Sequence, residues 1–319
     1  MFLYAVPVVL GLILLYRWYR QSQILENLTD KYVLITGCDT GFGNLLAKQL
    51  DKRGMKVLAA CLTTQGAEKL KEETSSRLHT VILDVTDSEN VKSVAKWAAD
   101  IVGDAGLWGL VNNAGFGSGF IPNLWQTKKN FVKLMDINFL GLVDVTLNLA
   151  PLVIKARGRI INVSSTAGRI AIVGGGYCPS KFAVQGFSDS LRRELHAFGV
   201  KVSIIEPGGY KTLIIDKDRH IKHLQHIWNN LPGNIKELFG EKYYQQYANN
   251  LLQLLNTANP KIHQVSDCME HALTAVHPWT RYSVGLDCKL YYLPVSHLPT
   301  AIADYLLSRS APKQAKTLK

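Results

Sequence analysis

Tyr177 and Lys181 stand four residues apart in the stretch GGGYCPSKFAV, residues 174–184, directly behind three consecutive glycines. Residues i and i+4 of a helix share a face, so this spacing turns a phenol and an ammonium toward one site. A free tyrosine titrates near pH 10 and is no base at neutral pH unless a nearby cation favours its phenolate, and Lys181 offers that cation. The three glycines are expected to keep the approach to the phenol free of side chains. The same spacing also arises where Tyr and Lys merely flank the core face of an amphipathic helix, so the pair alone decides nothing.

The elements that would position such a pair can be read from the pattern around it. From Lys31 onward, short β-branched runs alternate with helix-length segments: KYVLIT, MKVLAAC, HTVILDV, GLVNNAG, GRIINVSS and VKVSIIEPG read as buried strands. Helices are expected between them, including one continuous helix over 128–156. Strand–helix alternation with right-handed crossovers predicts an α/β fold built on a doubly wound parallel sheet with helices on both faces. One catalytic domain is expected over 31–290, with 215–257 a helical excursion on the substrate side, after an anchor at 1–20 and a linker at 21–30. The first strand runs into TGCDTGFG, so Gly37, Gly41 and Gly43 sit where a strand-to-helix turn cradles a pyrophosphate at a helix N-terminus.

The 319 residues, 47% of them hydrophobic, suit a globular chain with a substantial core. The net charge of +11 is scattered among acidic neighbours, as in LRRELHAFG, with no aromatic-basic stripe, so nucleic acid is not an expected partner. Five cysteines form no C-x-x-C pair and are odd in number, which indicates neither a zinc site nor a disulfide framework. His220, His223 and His226 recur at threes, without a Cys or carboxylate cluster beside them, and read as a helix face; no metal is expected.

The uncharged run over 2–16 is followed, not preceded, by Arg17 and Arg20, which is the reverse of a cleavable signal and predicts a retained membrane anchor. Those arginines put the remainder in the cytoplasm by the positive-inside bias. The sequon at Asn27 would be used only in the opposite orientation, so topology stays open. The segment 290–309 is richer in apolar residues than a solvent-facing tail needs, and with the basic tail of Lys313, Lys316 and Lys319 it is expected to touch a membrane.

With TGCDTGFG, NNAG at 112–115, Asn138, NVSS at 162–165, YCPSK and PGGYKT in order, the chain resembles the classical short-chain dehydrogenase/reductase family over about residues 30–215. The resemblance implies a Rossmann-type fold in which Tyr177 is the acid/base, Lys181 binds the nicotinamide ribose and depresses the tyrosine pKa, Ser165 orients the substrate oxygen, and Asn138 completes a proton relay. Ser164 is the competing serine. Cofactor contacts implied by the same alignment are Gly37, Cys38, Asp39, Gly41, Phe42, Gly43, Cys61, Asp84, Val85, Asn113, Ala114, Gly115, Tyr177, Lys181, Pro207, Gly208 and Thr212. Asp84 and Val85 are taken to end the third strand, and Cys61 the second.

More widely, the chain is similar to the microsomal retinol dehydrogenase and 17β-hydroxysteroid dehydrogenase type 6 group, through segments such as GLWGLVNNAG and CMEHALTAVHP. That implies NAD-linked oxidation of a lipophilic alcohol, retinol or a 3α- or 17β-hydroxysteroid, at the endoplasmic reticulum membrane, and leaves a homodimer open. Cys61 occupies the place where NAD-preferring relatives carry Asp, and no Arg or Lys nearby offers itself to a 2′-phosphate; NAD is favoured over NADP by the absence of the NADP device. An NADPH-dependent carbonyl reductase and a catalytically idle lipid-binding relative are the competing expectations.

Overall fold

The structure is a computed structural model that describes residues 2–117, 120–309 and 311–312; Met1 and the expected basic tail of Lys313, Lys316 and Lys319 lie outside the described residues. In chain order the elements are α1 (Phe2–Ser22), β1 (Tyr32–Thr36), α2 (Gly41–Lys52), β2 (Lys56–Cys61), α3 (Thr64–Glu72), β3 (Leu78–Ile82), α4 (Ser88–Val102) and β4 (Gly109–Asn112). They continue with α5 (Lys128–Met135), α6 (Gly141–Lys155), β5 (Arg159–Val163), α7 (Tyr177–Leu195), β6 (Lys201–Pro207), α8 (Lys217–Asn229), α9 (Gly233–Phe239) and α10 (Glu241–Asn256). The last are α11 (His263–Thr274), β7 (Arg281–Val284), α12 (Leu293–Ser296) and α13 (Thr300–Ser308).

Among the described residues the seven strands are all parallel, in the order β3-β2-β1-β4-β5-β6-β7. Strand alternation splits the core into two. Val33, Ile35, Val57 and Ala59 pack with Leu46 and Leu50 of α2, Leu70 of α3 and Met269 of α11. Leu34, Leu58, Leu110 and Ile160 face the other way, onto Val94 of α4, Leu149 of α6 and Leu191 of α7. A third apolar cluster lies off the sheet, where α8, α9 and α10 bring Leu224, Trp228, Phe239 and Leu251 onto Phe120, Ile121 and Trp125.

Two features differ from the sequence reading. The helix expected over 128–156 is interrupted by a π turn, Asp136–Leu140, between α5 and α6. A π turn widens the helix and re-aims its side chains, and it is here that Asn138 becomes buried. The edge strand β7 went unread because its four residues alternate Arg281, Tyr282, Ser283, Val284, half polar and too short to register as a strand. The segment before β1 is strapped to the chain after α11: Leu25 N donates to Thr274 O and Val276 N to Gln23 O.

Charge ties β7 to the rest. Glu206 of β6, fully buried, accepts from Arg169 Nη1 (3.1 Å), Gln185 Nε2 (3.0 Å), Arg281 Nη1 (3.0 Å) and Ser283 Oγ (2.9 Å). Arg281 also reaches Asp189 of α7 at 2.6 Å. Removing one partner of a buried ionic network strands the others without compensation. Glu206→Ala is therefore expected to cost about 3–5 kcal/mol of stability, read as a lowered urea midpoint of the detergent-solubilised chain; a loss under about 1 kcal/mol, the range of exposed pairs, would show that the network is screened by water.

Candidate active site

The glycine turn after β1 is held by a threonine that the sequence reading did not single out. Thr36 Oγ1 accepts from both Asn113 N (3.1 Å) and Ala114 N (3.0 Å), while Asn113 Nδ2 donates to Thr36 O and Gly37 O. Gly37 takes φ +72°, and a Cβ there would lie 2.9 Å from Ala114 Cα; at Gly43 it would lie 2.6 Å from Gly37 O. Only glycine lets these backbones approach so closely. At the start of α2, Thr40 makes no side-chain capping bond, so the amides of the helix N-terminus face outward unspent. A space bounded by bare backbone and open amides suits an anionic pyrophosphate. Thr212, beyond β6, closes the far side, with its Cγ2 3.6 Å from where a Gly41 Cβ would be.

Several side chains at the expected cofactor positions are engaged within the protein. The Cys38 thiol is fully buried and donates to Ile35 O, and the Phe42 ring packs edge-on against Tyr210 with centroids 5.9 Å apart. Cys61 does end β2, but it too is fully buried, and burial followed by the charge of Asp39 pushes its thiol up to about 12. The carboxylate at the end of β2 comes instead from the glycine loop. Asp39 accepts from Leu62 N (2.7 Å), Thr63 N (2.9 Å) and Thr63 Oγ1 (2.7 Å). β3 ends at Ile82, short of Asp84 and Val85; Asp84 is exposed and turns its carboxylate back on Thr86, while Val85 is buried under α6. Pro207 ends β6 and its carbonyl accepts from Thr166 Oγ1 at 3.0 Å, and Gly208 N donates to Val284 O.

At the head of α7 the expected tetrad meets. Lys181, 4% exposed, donates from Nζ to Val163 O at 3.0 Å and lies 5.8 Å from the centroid of the Tyr177 ring. Ser165 Oγ donates to Pro207 O (3.4 Å) and accepts from Ala167 N (3.1 Å), and it lies near enough to the Tyr177 phenol to favour its ionised form. Ser164 reaches α7 one turn further along, donating to Lys181 O (3.0 Å) and accepting from Gln185 Nε2 (3.2 Å). Asn138 accepts from Phe116 N and donates to Phe116 O and Ser180 Oγ, which spends its whole amide on fixing the turn after Gly115. A Cβ on Gly115 would lie 3.6 Å from Lys181 Nζ, so the NNAG turn reaches the same spot.

Electrostatics at the pair oppose the simplest sequence expectation. Burial pushes Tyr177 up to about 12, only partly offset by the nearby Ser165 hydroxyl, and burial pulls Lys181 down to about 8. Desolvation disfavours the charged form of each, and the ammonium 5.8 Å from the ring does not overcome it. The glycines before Tyr177 also serve otherwise than expected. A Cβ on Gly174 would strike Ile121 O at 2.4 Å, and Gly175, at φ +87°, faces the Gln126 side chain. They allow the loop to pack onto 121–131.

Above the phenol lies an aromatic roof that the motifs did not indicate. Phe120 meets Tyr177 edge-on with centroids 6.0 Å apart, and His220 stacks on Phe120 at 4.9 Å. An apolar enclosure over a polar tetrad favours a lipophilic ligand with one polar group.

Residues 31–222 match the sequence pattern of the family described as short chain dehydrogenase. Over 304 residues the chain is 52% identical to short-chain dehydrogenase/reductase family 9C member 7 of Bos taurus, covering 95% of this chain and 97% of that one. It is 52% identical to retinol dehydrogenase 7 of Rattus norvegicus over 318 residues, 100% of both. Among solved structures, a short-chain dehydrogenase from Streptomyces avermitilis superposes with a TM-score of 0.69 at 24% identity, covering 88% of this chain and 96% of that one, which supports the fold. The parallel sheet and these relatives agree: the chain belongs to the short-chain dehydrogenase/reductase family, in its retinol dehydrogenase group, and is a nicotinamide-dinucleotide-dependent oxidoreductase acting on CH–OH.

Proposed function

We propose that this chain oxidises the hydroxyl of a lipophilic alcohol, a retinol or a 3α- or 17β-hydroxysteroid, with NAD as the preferred cofactor. The observation that carries the reading is a phenol set beside a buried Lys181 and close to Ser165, beneath the apolar roof of Phe120. When bound against the glycine turn, the dinucleotide supplies the hydride acceptor. Ser165 holds the alcohol oxygen, Tyr177 takes its proton, and Lys181 contributes positive charge that favours that transfer. Asn138 acts as a positioning residue, since its amide is spent on Phe116 and Ser180.

The preference for NAD is supported by Asp39 rather than by Cys61. A carboxylate at the end of β2 hydrogen-bonds a ribose diol and repels a 2′-phosphate. A carboxylate placed at position 61 would be buried beside Asp39, so substitution there would unsettle the fold before it tuned the cofactor.

The anchor belongs to the same reading. α1 has 21 residues and exposes Leu12, Ile13, Leu14 and Leu15, with Trp18 and Tyr19 suited to the interface. At 1.5 Å per residue it spans about 32 Å, the thickness of a hydrocarbon core. Leu290, Leu298, Ile302 and Tyr305 form a second exposed apolar set on and around α12 and α13. We place the enzyme at the endoplasmic reticulum membrane with the catalytic domain in the cytoplasm.

Tyr177→Phe is expected to abolish turnover of retinol and of androstanediol while NAD affinity changes less than about threefold; Ser165→Ala lowers kcat more than Ser164→Ala, and the reverse order would reassign the serine. Asp39→Asn, isosteric but uncharged, is expected to lower the NAD to NADP ratio of kcat/KM by on the order of tenfold; an unchanged ratio would remove Asp39 from the ribose site. Deleting residues 1–20 should leave a sizeable fraction of the chain with membranes after a salt wash, and complete release would exclude a C-terminal contact.

A further inference from the structure

Outside the tetrad, the feature with no assigned role is a cavity of about 260 Å³ between α5 and α8, lined by Phe116, Gly117, Asn130, Lys133, Arg219 and His223, with His220 at its floor. Two cations are laid on one ring there: Lys133 Nζ is 5.3 Å and the Arg219 guanidinium 4.6 Å from the Phe116 centroid. Among the described residues neither forms an ion pair. Asp216 is occupied in capping α8, where it accepts from Arg219 N.

Cations predominate around the cavity, with Asp216 the carboxylate that acts on its lining, at His220. His223 is held below its ordinary pKa by burial first and then by His226, His220, Arg219 and Lys133, with no acid offsetting them. His220, 2% exposed, meets Ile214 O through Nε2 at 2.6 Å. A carbonyl only accepts, so Nε2 carries the hydrogen and Nδ1 is left as a buried acceptor without a partner. Uncompensated cations around a cavity call for an anion from outside the chain.

We propose that this cavity binds the carboxylate of an amphipathic lipid, with Lys133 and Arg219 as its counter-charges. A monoanion fits better than a phosphate, because Phe116 N is already taken by Asn138 and the lining carries two side-chain cations, Lys133 and Arg219. The lipid body has an apolar route inward: a Cβ on Gly117 would touch Ile214, and His220 stacks on Phe120, which abuts Tyr177. Whether the carboxylate belongs to the alcohol being oxidised rests on the function proposed above; the anion site itself does not.

The test uses the full-length chain in nonionic detergent, with palmitate and hexadecanol titrated calorimetrically. Palmitate is expected to bind on the order of tenfold more tightly than hexadecanol, and the double substitution Lys133→Gln with Arg219→Gln to erase that difference while hexadecanol binds both forms alike. Equal affinities for the two probes, or a palmitate affinity that the double substitution leaves in place, would overturn the proposal. A second arm compares turnover of a 3α-hydroxysteroid carboxylic acid with that of its methyl ester. A lower KM for the acid that the double substitution raises to the ester's value makes the anion the substrate's own, whereas equal KM values with cation-dependent palmitate binding make it a separate fatty acid. Turnover of neither would count against the oxidation, and the palmitate titration would still decide the site.

Discussion

An ammonium removed from water at the end of a parallel sheet is the constraint around which this fold is arranged. Lys181 is 4% exposed and donates to the carbonyl of Val163, the last residue of β5. Holding it there requires α7 to lie directly on the strand end. A Cβ on Gly168 would sit 2.6 Å from Lys181 O, and Ser164 bonds that same carbonyl, so the turn after β5 is shaped to the backbone of α7. From Ser164 the contacts run through Gln185 to Glu206 and on to Arg281 of the edge strand. The ionic network at the sheet edge thus supports the helix that carries Tyr177 and Lys181.

The other half of the site is built on different physics. The roof over Tyr177 belongs to an apolar cluster of α8, α9 and α10 that shares no residue with the two sheet cores. The tetrad is set by backbone and hydrogen bonds, whereas the roof is set by stacked rings such as Trp228 on Tyr244, 4.9 Å apart. On the function proposed above, fixed polar groups beneath and aromatic packing above would suit one reaction on differing lipophilic bodies.

What the sequence disclosed follows the same division. Six strands and the glycine turn were legible because buried parallel strands are continuous apolar runs and a pyrophosphate turn needs glycine at fixed places. The Tyr177 to Lys181 spacing was legible because a helix fixes it. β7 and the π turn at Asn138 were not, since one is four residues of mixed polarity and the other leaves no mark on apolar periodicity. Cys61 was correctly taken as the end of β2, yet its side chain faces the core, and Asp39, distant in sequence, brings the carboxylate. Position along a strand is a local property; which loop folds over its end is not.

The opposed pKa shifts of the pair show what the chain can and cannot do alone. Lys181 falls to about 8 through burial, below the value of an unfolded lysine, so between about pH 8 and 10.5 the unfolded chain holds more protons and stability rises with pH. At neutral pH the fold carries a cost on the order of 3 kcal/mol for keeping that ammonium charged. Tyr177, raised to about 12, works the other way: above about pH 10 the unfolded chain loses a proton that the folded chain keeps, and stability falls. Alkali therefore neutralises the lysine well before it ionises the tyrosine. A phenolate at working pH demands further positive charge close to the phenol, and the positively charged ring of an oxidised nicotinamide is such a charge. The cost at neutral pH thus falls on the Lys181 ammonium alone, since a neutral phenol is the ordinary state of Tyr177 there.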